Sequence, residues 1–125
     1  MTRLKWIKRI TDACRAVGTY KEAFDDVIAT LADIMARRDA AQAAFKKSGG
    51  ALLVNHVNRA GQSNIEQNPV LRMINDLNRD ALAYWRDLGL TPAGLRRIND
   101  AALARPEAAD PLAAMLSQIK LVDAM

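Results

Sequence analysis

The chain is 125 residues long, 50% apolar, 26% charged and only 5% aromatic, a composition that reads as one small, soluble, helical domain and excludes a multidomain enzyme. Lysine and arginine number 18 against 14 acids, a net charge of +4. Residues 1–18 hold Arg3, Lys5, Lys8, Arg9 and Arg15 against Asp12 alone, while residues 19–125 balance at 13 bases and 13 acids, so a polyanion contact is expected at one end and not over the whole surface.

Leu4, Ile7, Ile10, Cys14 and Val17 recur at steps of three and four, which predicts an amphipathic helix over 2–17 with most of the basic residues off its apolar stripe. Gly18 supplies the stop. Thr19-Tyr20-Lys21-Glu22 fits a capping box and predicts a long helix over 20–47, with Phe24, Val27, Ile28, Leu31, Ile34, Met35 and Phe45 on its apolar face. The stretch 36–44 favours helix but is poor in large apolar groups, so another helix, of this chain or a neighbour, is expected to approach closely there. Gly49-Gly50 ends the element.

Residues 51–67 break the helical pattern. The run Leu53–Val57 followed by Asn58-Arg59-Ala60-Gly61 allows a short β-hairpin or an extended loop. Asn68-Pro69 restarts a helix, with asparagine as cap and proline in the first turn. Val70, Ile74, Leu77, Ala81, Trp85 and Leu88 then mark one face of a helix over 69–88, closed by Gly89. Thr91-Pro92 repeats the signal for a short helix over 92–104 carrying Leu95 and Ile98. Residues 105–111 form a proline-containing linker, and Leu112, Met115, Leu116, Ile119 and Val122 predict a C-terminal helix. The expected fold is all-α, a helical hairpin core of four to five helices with a short extended or hairpin excursion around 51–67. Its main domain spans 1–104, followed by a linker and tail over 105–125.

Catalytic constellations are missing. Cys14 is the single cysteine and sits on the apolar stripe, as a buried thiol would. His56 is the single histidine and has no companion at metal-ligand spacing. Asp25, Asp26 and Asp33 share a helix, but adjacent residues there point about 100° apart and do not converge on one ion. Gly49-Gly50 is not followed by the Lys-Ser or Lys-Thr of a phosphate loop. No enzyme activity, metal or cofactor is expected. With neither an apolar run of membrane-spanning length nor an ordinary secretory signal, the expected location is the cytoplasm.

The basic residues offer the remaining chemistry. Lys5, Lys8 and Arg9 share one helix face, with Arg3 and Arg15 nearby, and Arg37-Arg38 and Lys46-Lys47 add doublets on the second helix. Phosphates neutralised by such groups release counterions and give salt-sensitive DNA affinity; solvated surface charge is the competing explanation. The Gly89-Leu90-Thr91-Pro92 corner followed by Arg96 and Arg97 has the form of a helix-turn-helix, although any tight α–α corner uses glycine and proline in this way.

Asn68-Pro69-Val70-Leu71-Arg72, a helix of fixed length, and then Leu88-Gly89-Leu90-Thr91-Pro92 with Arg97-Ile98 together resemble the phage terminase small subunits of the P27 family. The upstream helix with Asp25 and Asp26, the Gly49-Gly50 break and the Gly61-Gln62 turn follow the same layout, so the resemblance covers about residues 19–100. One position departs from it: Leu95 stands where the family tends to place an arginine. The resemblance implies a non-enzymatic packaging factor in the host bacterium's cytoplasm. It would be a ring-forming homo-oligomer that binds double-stranded viral DNA and presents it to the large terminase subunit, which carries the ATPase and nuclease. Two other readings compete with it: a structural adaptor that binds only proteins, and a helix-turn-helix transcriptional regulator.

Overall fold

Helix α1 (Arg3–Val17) starts at Thr2, whose side chain accepts from the Lys5 amide, and ends at Gly18 in the left-handed region. A 3-10 turn (Glu22–Phe24) leads into α2 (Asp25–Lys47), followed by strands β1 (Leu53–Val57) and β2 (Ser63–Gln67), α3 (Pro69–Asp87) and α4 (Pro92–Leu103). This computed structural model describes residues 1–104; the C-terminal helix expected after Pro111 lies outside them. The described chain is mostly helical with one two-stranded antiparallel sheet, so the excursion around 51–67 is a hairpin.

Helix α2 is the axis of the fold, with α1 folded back along its first half and α3 antiparallel beside it. The core joins Trp6, Ile10 and Cys14 of α1 to Ile28, Leu31, Ala32 and Met35 of α2 and to Ala81 and Leu88 at the far end of α3. Trp6 and Trp85 meet edge to face, with ring centroids 6.4 Å apart and planes at 66°. Each large side chain fully withdrawn from water here contributes about 1.5–3 kcal/mol. The stripe expected for α1 is corrected by this packing. Leu4 is 74% exposed and Val17 is 40% exposed, because the face laid on α2 runs at steps of four through Trp6, Ile10 and Cys14. Phe24 and Val27, expected inside, stand exposed at the start of α2.

The capping box at Thr19 does not form. The Thr19 hydroxyl instead donates to the Leu88 carbonyl at 2.7 Å, tying the α1–α2 connector to the end of α3, and α2 begins at Asp25 without a side-chain cap. The α3–α4 corner is equally tight. Gly89 takes a positive φ of 74°, and a Cβ there would come within 2.9 Å of Ile98 and 3.0 Å of Thr19. A Cβ on Gly94 would collide with the Arg86 carbonyl, so glycine is what lets the first turn of α4 sit on the last turn of α3.

Beyond Asp39, α2 runs past the start of α1 and is accompanied by α3 alone. Ala41 and Ile74 are buried in this stalk, and Arg37, Ala40, Ala41, Met73 and Leu77 line a groove between the two helices. The close approach expected at the alanine-rich stretch is thus made by α3 of the same chain. Asn68 joins stalk to hairpin. Its Oδ1 accepts from the Val70 amide at 3.0 Å, its Nδ2 donates to the Ala51 carbonyl at 3.0 Å, and its backbone amide donates to the Leu52 carbonyl at 2.8 Å.

Candidate nucleic-acid interface

Since α1 lays Trp6, Ile10 and Cys14 on the core, its opposite side turns Lys5, Lys8, Arg9 and Asp12 together into solvent, around one shallow depression. Lys8 Nζ lies 3.9 Å from Asp12 Oδ2, with both side chains mostly in water, a pairing too weak to neutralise the patch. Arg9 is held by an aromatic ring, its guanidinium 5.2 Å from the Trp6 centroid. Arg15 is held the same way, 4.7 Å from the Tyr20 centroid. Stacking of this kind orients a guanidinium without cancelling its charge. Arg3 and Lys5 are exposed and enter no ion pair among the described residues.

The other candidates are placed differently. Arg37 pairs with Asp33 at 3.1 Å one helical turn away. Arg38 is half-buried, with Nη2 3.0 Å from Asp39 Oδ1 and its guanidinium 6.0 Å from the Trp6 centroid. Lys46 and Lys47 are exposed in the last turn of α2, where positive charge also complements the helix dipole. Arg96 is exposed on α4, and Arg97 reaches back to Asp87 of α3 at 3.1 Å. The first turn of α4 faces the second half of α1 across a groove lined by Ala13, Ala16, Val17, Pro92 and Leu95. The fold therefore gathers Lys5, Lys8 and Arg9 on one face, leaves Lys46 and Lys47 at the stalk end of α2, and partners Arg37, Arg38 and Arg97 with carboxylates of their own chain.

Sequence reasoning missed the group that fixes α1 in place. Asp39 Oδ2 accepts from the Trp6 indole at 2.7 Å and from the amino terminus at 2.9 Å, and Oδ1 accepts from Arg38. Burial by itself would raise this carboxyl, but the hydrogen bonds from the amino terminus, Trp6 and Arg38 outweigh it and hold the group below its ordinary value. The available signal was Trp6-Ile10-Cys14 at steps of four, which puts an indole N–H into the α1–α2 seam, where it needs an acceptor. Cys14 is buried as expected, and burial pushes its thiol up. His56 is exposed on β1.

Among the described residues no helix is long and apolar enough to cross a membrane. The sequence model of a family described as phage terminase, small subunit, matches residues 4–104. No curated protein and no solved structure matches the chain.

Proposed function

The chain belongs to the family of phage terminase small subunits, which places it in phage DNA packaging, and from that premise we propose that it is a non-enzymatic packaging factor gripping double-stranded viral DNA through the outward face of α1. The observation that carries this reading is the convergence of Lys5, Lys8 and Arg9 around a single acid, Asp12, on the side of α1 turned away from the core. Arg15, seven residues on from Lys8, extends the patch along the helix, while Arg3 lies exposed at the start of α1 on the side of Ile10. A cluster of this size contacts a few phosphates, which is a weak grip for one chain. Working as a homo-oligomer, with a ring as the proposed form, the protein repeats the patch at every copy and reaches useful affinity by addition. The large terminase subunit is the partner to which the DNA is presented, in the cytoplasm of the host bacterium.

Binding of double-stranded DNA by the full chain across a salt series tests the reading. The expected result is an affinity that falls steeply with salt and is reduced by changing Lys5, Lys8 and Arg9 together to glutamine. Retained binding in that variant would move the contact to Arg37, Arg38, Lys46 and Lys47 or to Arg96 and Arg97. Absence of DNA binding at low salt would contradict it and favour a protein-only adaptor.

A further inference from the structure

Helix α4 is anchored at its start, where Gly94 sits on the Arg86 carbonyl, while Ala101, Ala102 and Leu103 at its end are exposed. Two grooves run along its side. The first separates the opening turn of α4 from Ala13, Ala16 and Val17 of α1. The second, a cavity of about 330 Å³, lies between Phe24 of the 3-10 turn and Ile98, Ala101 and Ala102 of α4. Val17 lines both, so the grooves join into one strip that follows α4, whose residues Leu95, Ile98 and Ala102 share a face at steps of three and four. The strip is apolar. The charged residues lining it are Lys21 and Asp87, and Asp87 is already engaged by Arg97. Val17 and Phe24, which the helical pattern expects inside, are 40% and 37% exposed here.

We propose that this strip is the docking site of the chain's own residues 112–122, which return antiparallel to α4 as an amphipathic helix and cover Val17. The place where the chain leaves the described fold selects this occupant. Ala101 and Ala102 line the strip and α4 ends at Leu103, so the residues that follow start at its edge. Pro106 and Pro111 disfavour a straight continuation of α4, and the seven residues 105–111 can span about 23 Å, ample for the roughly 10 Å between packed helices. Eleven residues of helix measure about 16 Å against about 18 Å for α4, so the two match in length. Their chemistry matches as well. Leu112, Met115, Leu116, Ile119 and Val122 recur at helical spacing, and Lys120 is the one charged residue between 112 and 122, a pattern that needs an apolar surface to lie on. Ala13, Ala16, Ala101 and Ala102 are small enough to let a helix approach closely. Tethering holds the segment at an effective concentration of order millimolar, well above that of a separate helix in solution. The end of α4 gains a packing partner, which a helix of twelve residues needs in water. Any protein that takes up the apolar side of residues 112–122 must first displace it from the strip. The inference goes beyond the reading of α1 as a DNA contact and stands without it.

The test uses the full chain and two readouts. In hydrogen exchange, the amides of 112–122 are expected to be protected in the unaltered chain and to lose that protection in Val17→Asp, a change at an exposed site outside the segment. Amides around Ile10 keep their protection in the same variant, which shows that the core is intact. In cross-linking, a short bis-maleimide is applied to the full chain carrying Ala16→Cys and Lys120→Cys; Cys14 is buried and so spared. The expected product is a link within one chain, read as the mass of a single denatured chain plus the linker. The link is expected to be lost when Leu116→Asp and Ile119→Asp are added. It is also expected to be absent from a chain carrying Lys46→Cys and Lys120→Cys, because Lys46 lies at the stalk end of α2. Four results would overturn the proposal: fast exchange over 112–122 in the unaltered chain, protection that survives Val17→Asp, equal linking to positions 16 and 46, or a product with the mass of two chains. The last would assign the strip to residues 112–122 of another copy.

Discussion

The two ends of α2 follow opposite rules. At its start, three helices close over Ile10, Ile28, Leu31 and Cys14, none more than 1% exposed, and the connectors are locked by Thr19, Gly89 and Gly94. At its far end, only α3 accompanies it, the buried apolar residues are Ala41 and Ile74, and the hairpin shows apolar side chains to water. An isolated two-stranded hairpin is at best marginally stable. The first end is closed by side chains of three helices, while the second leaves the apolar side chains of its hairpin in water.

The contrast is sharpest for substitutions that empty or overfill the cored end. Ile10→Ala is expected to cost about 2–5 kcal/mol, read by chemical denaturation, since it leaves a cavity among side chains that cannot collapse. Gly94→Ala should cost about 1–3 kcal/mol by forcing α4 off the Arg86 carbonyl, and a neutral outcome there would show the corner to be looser than its geometry.

That corner also shows what could be read in advance. Asn68-Pro69 and Thr91-Pro92 announce their helices because the capping chemistry is local: both side chains accept from an amide two or three residues on. The Thr19 capping box failed because its signal is local while the outcome is not. The hydroxyl found a carbonyl of α3, 69 residues away. Leu4 and Val17 fit a helical stripe as well as Trp6 does, and only the line along which α1 crosses α2 decides among them. The basic residues of α1 were legible as a cluster from composition alone. The partner of Arg97 was not, because Asp87 comes within reach only when α4 folds back on α3; the Asp33–Arg37 pair, one turn apart on one helix, could have been read from its spacing.

Asp39 stands at the boundary between the two ends. Asp39→Asn is expected to cost about 1–2 kcal/mol by weakening the hold on Trp6, Arg38 and the amino terminus. Because the carboxyl is held below its ordinary value, its contribution is present above about pH 4 and is lost as pH falls through the lowered folded-state value. Thermal melts between pH 7 and pH 3 should therefore converge for the parent and the variant, and curves that stay parallel would remove Asp39 from this role. Asn68→Ala, at the other side of the boundary, should cost about 1 kcal/mol and speed amide exchange in the hairpin while leaving the amides around Ile10 untouched. Equal acceleration at both places would break the distinction between the ends.

In the proposed function, DNA is held by the outward face of α1. The most direct test is the slope of log affinity against log salt for the full chain and for the variant with Lys5, Lys8 and Arg9 all changed to glutamine. Each phosphate contact contributes about 0.9 to that slope on duplex DNA, so the triple change is predicted to flatten it by about 2–3 per bound chain with the oligomer mass unaltered. An unchanged slope at unchanged mass would contradict the claim.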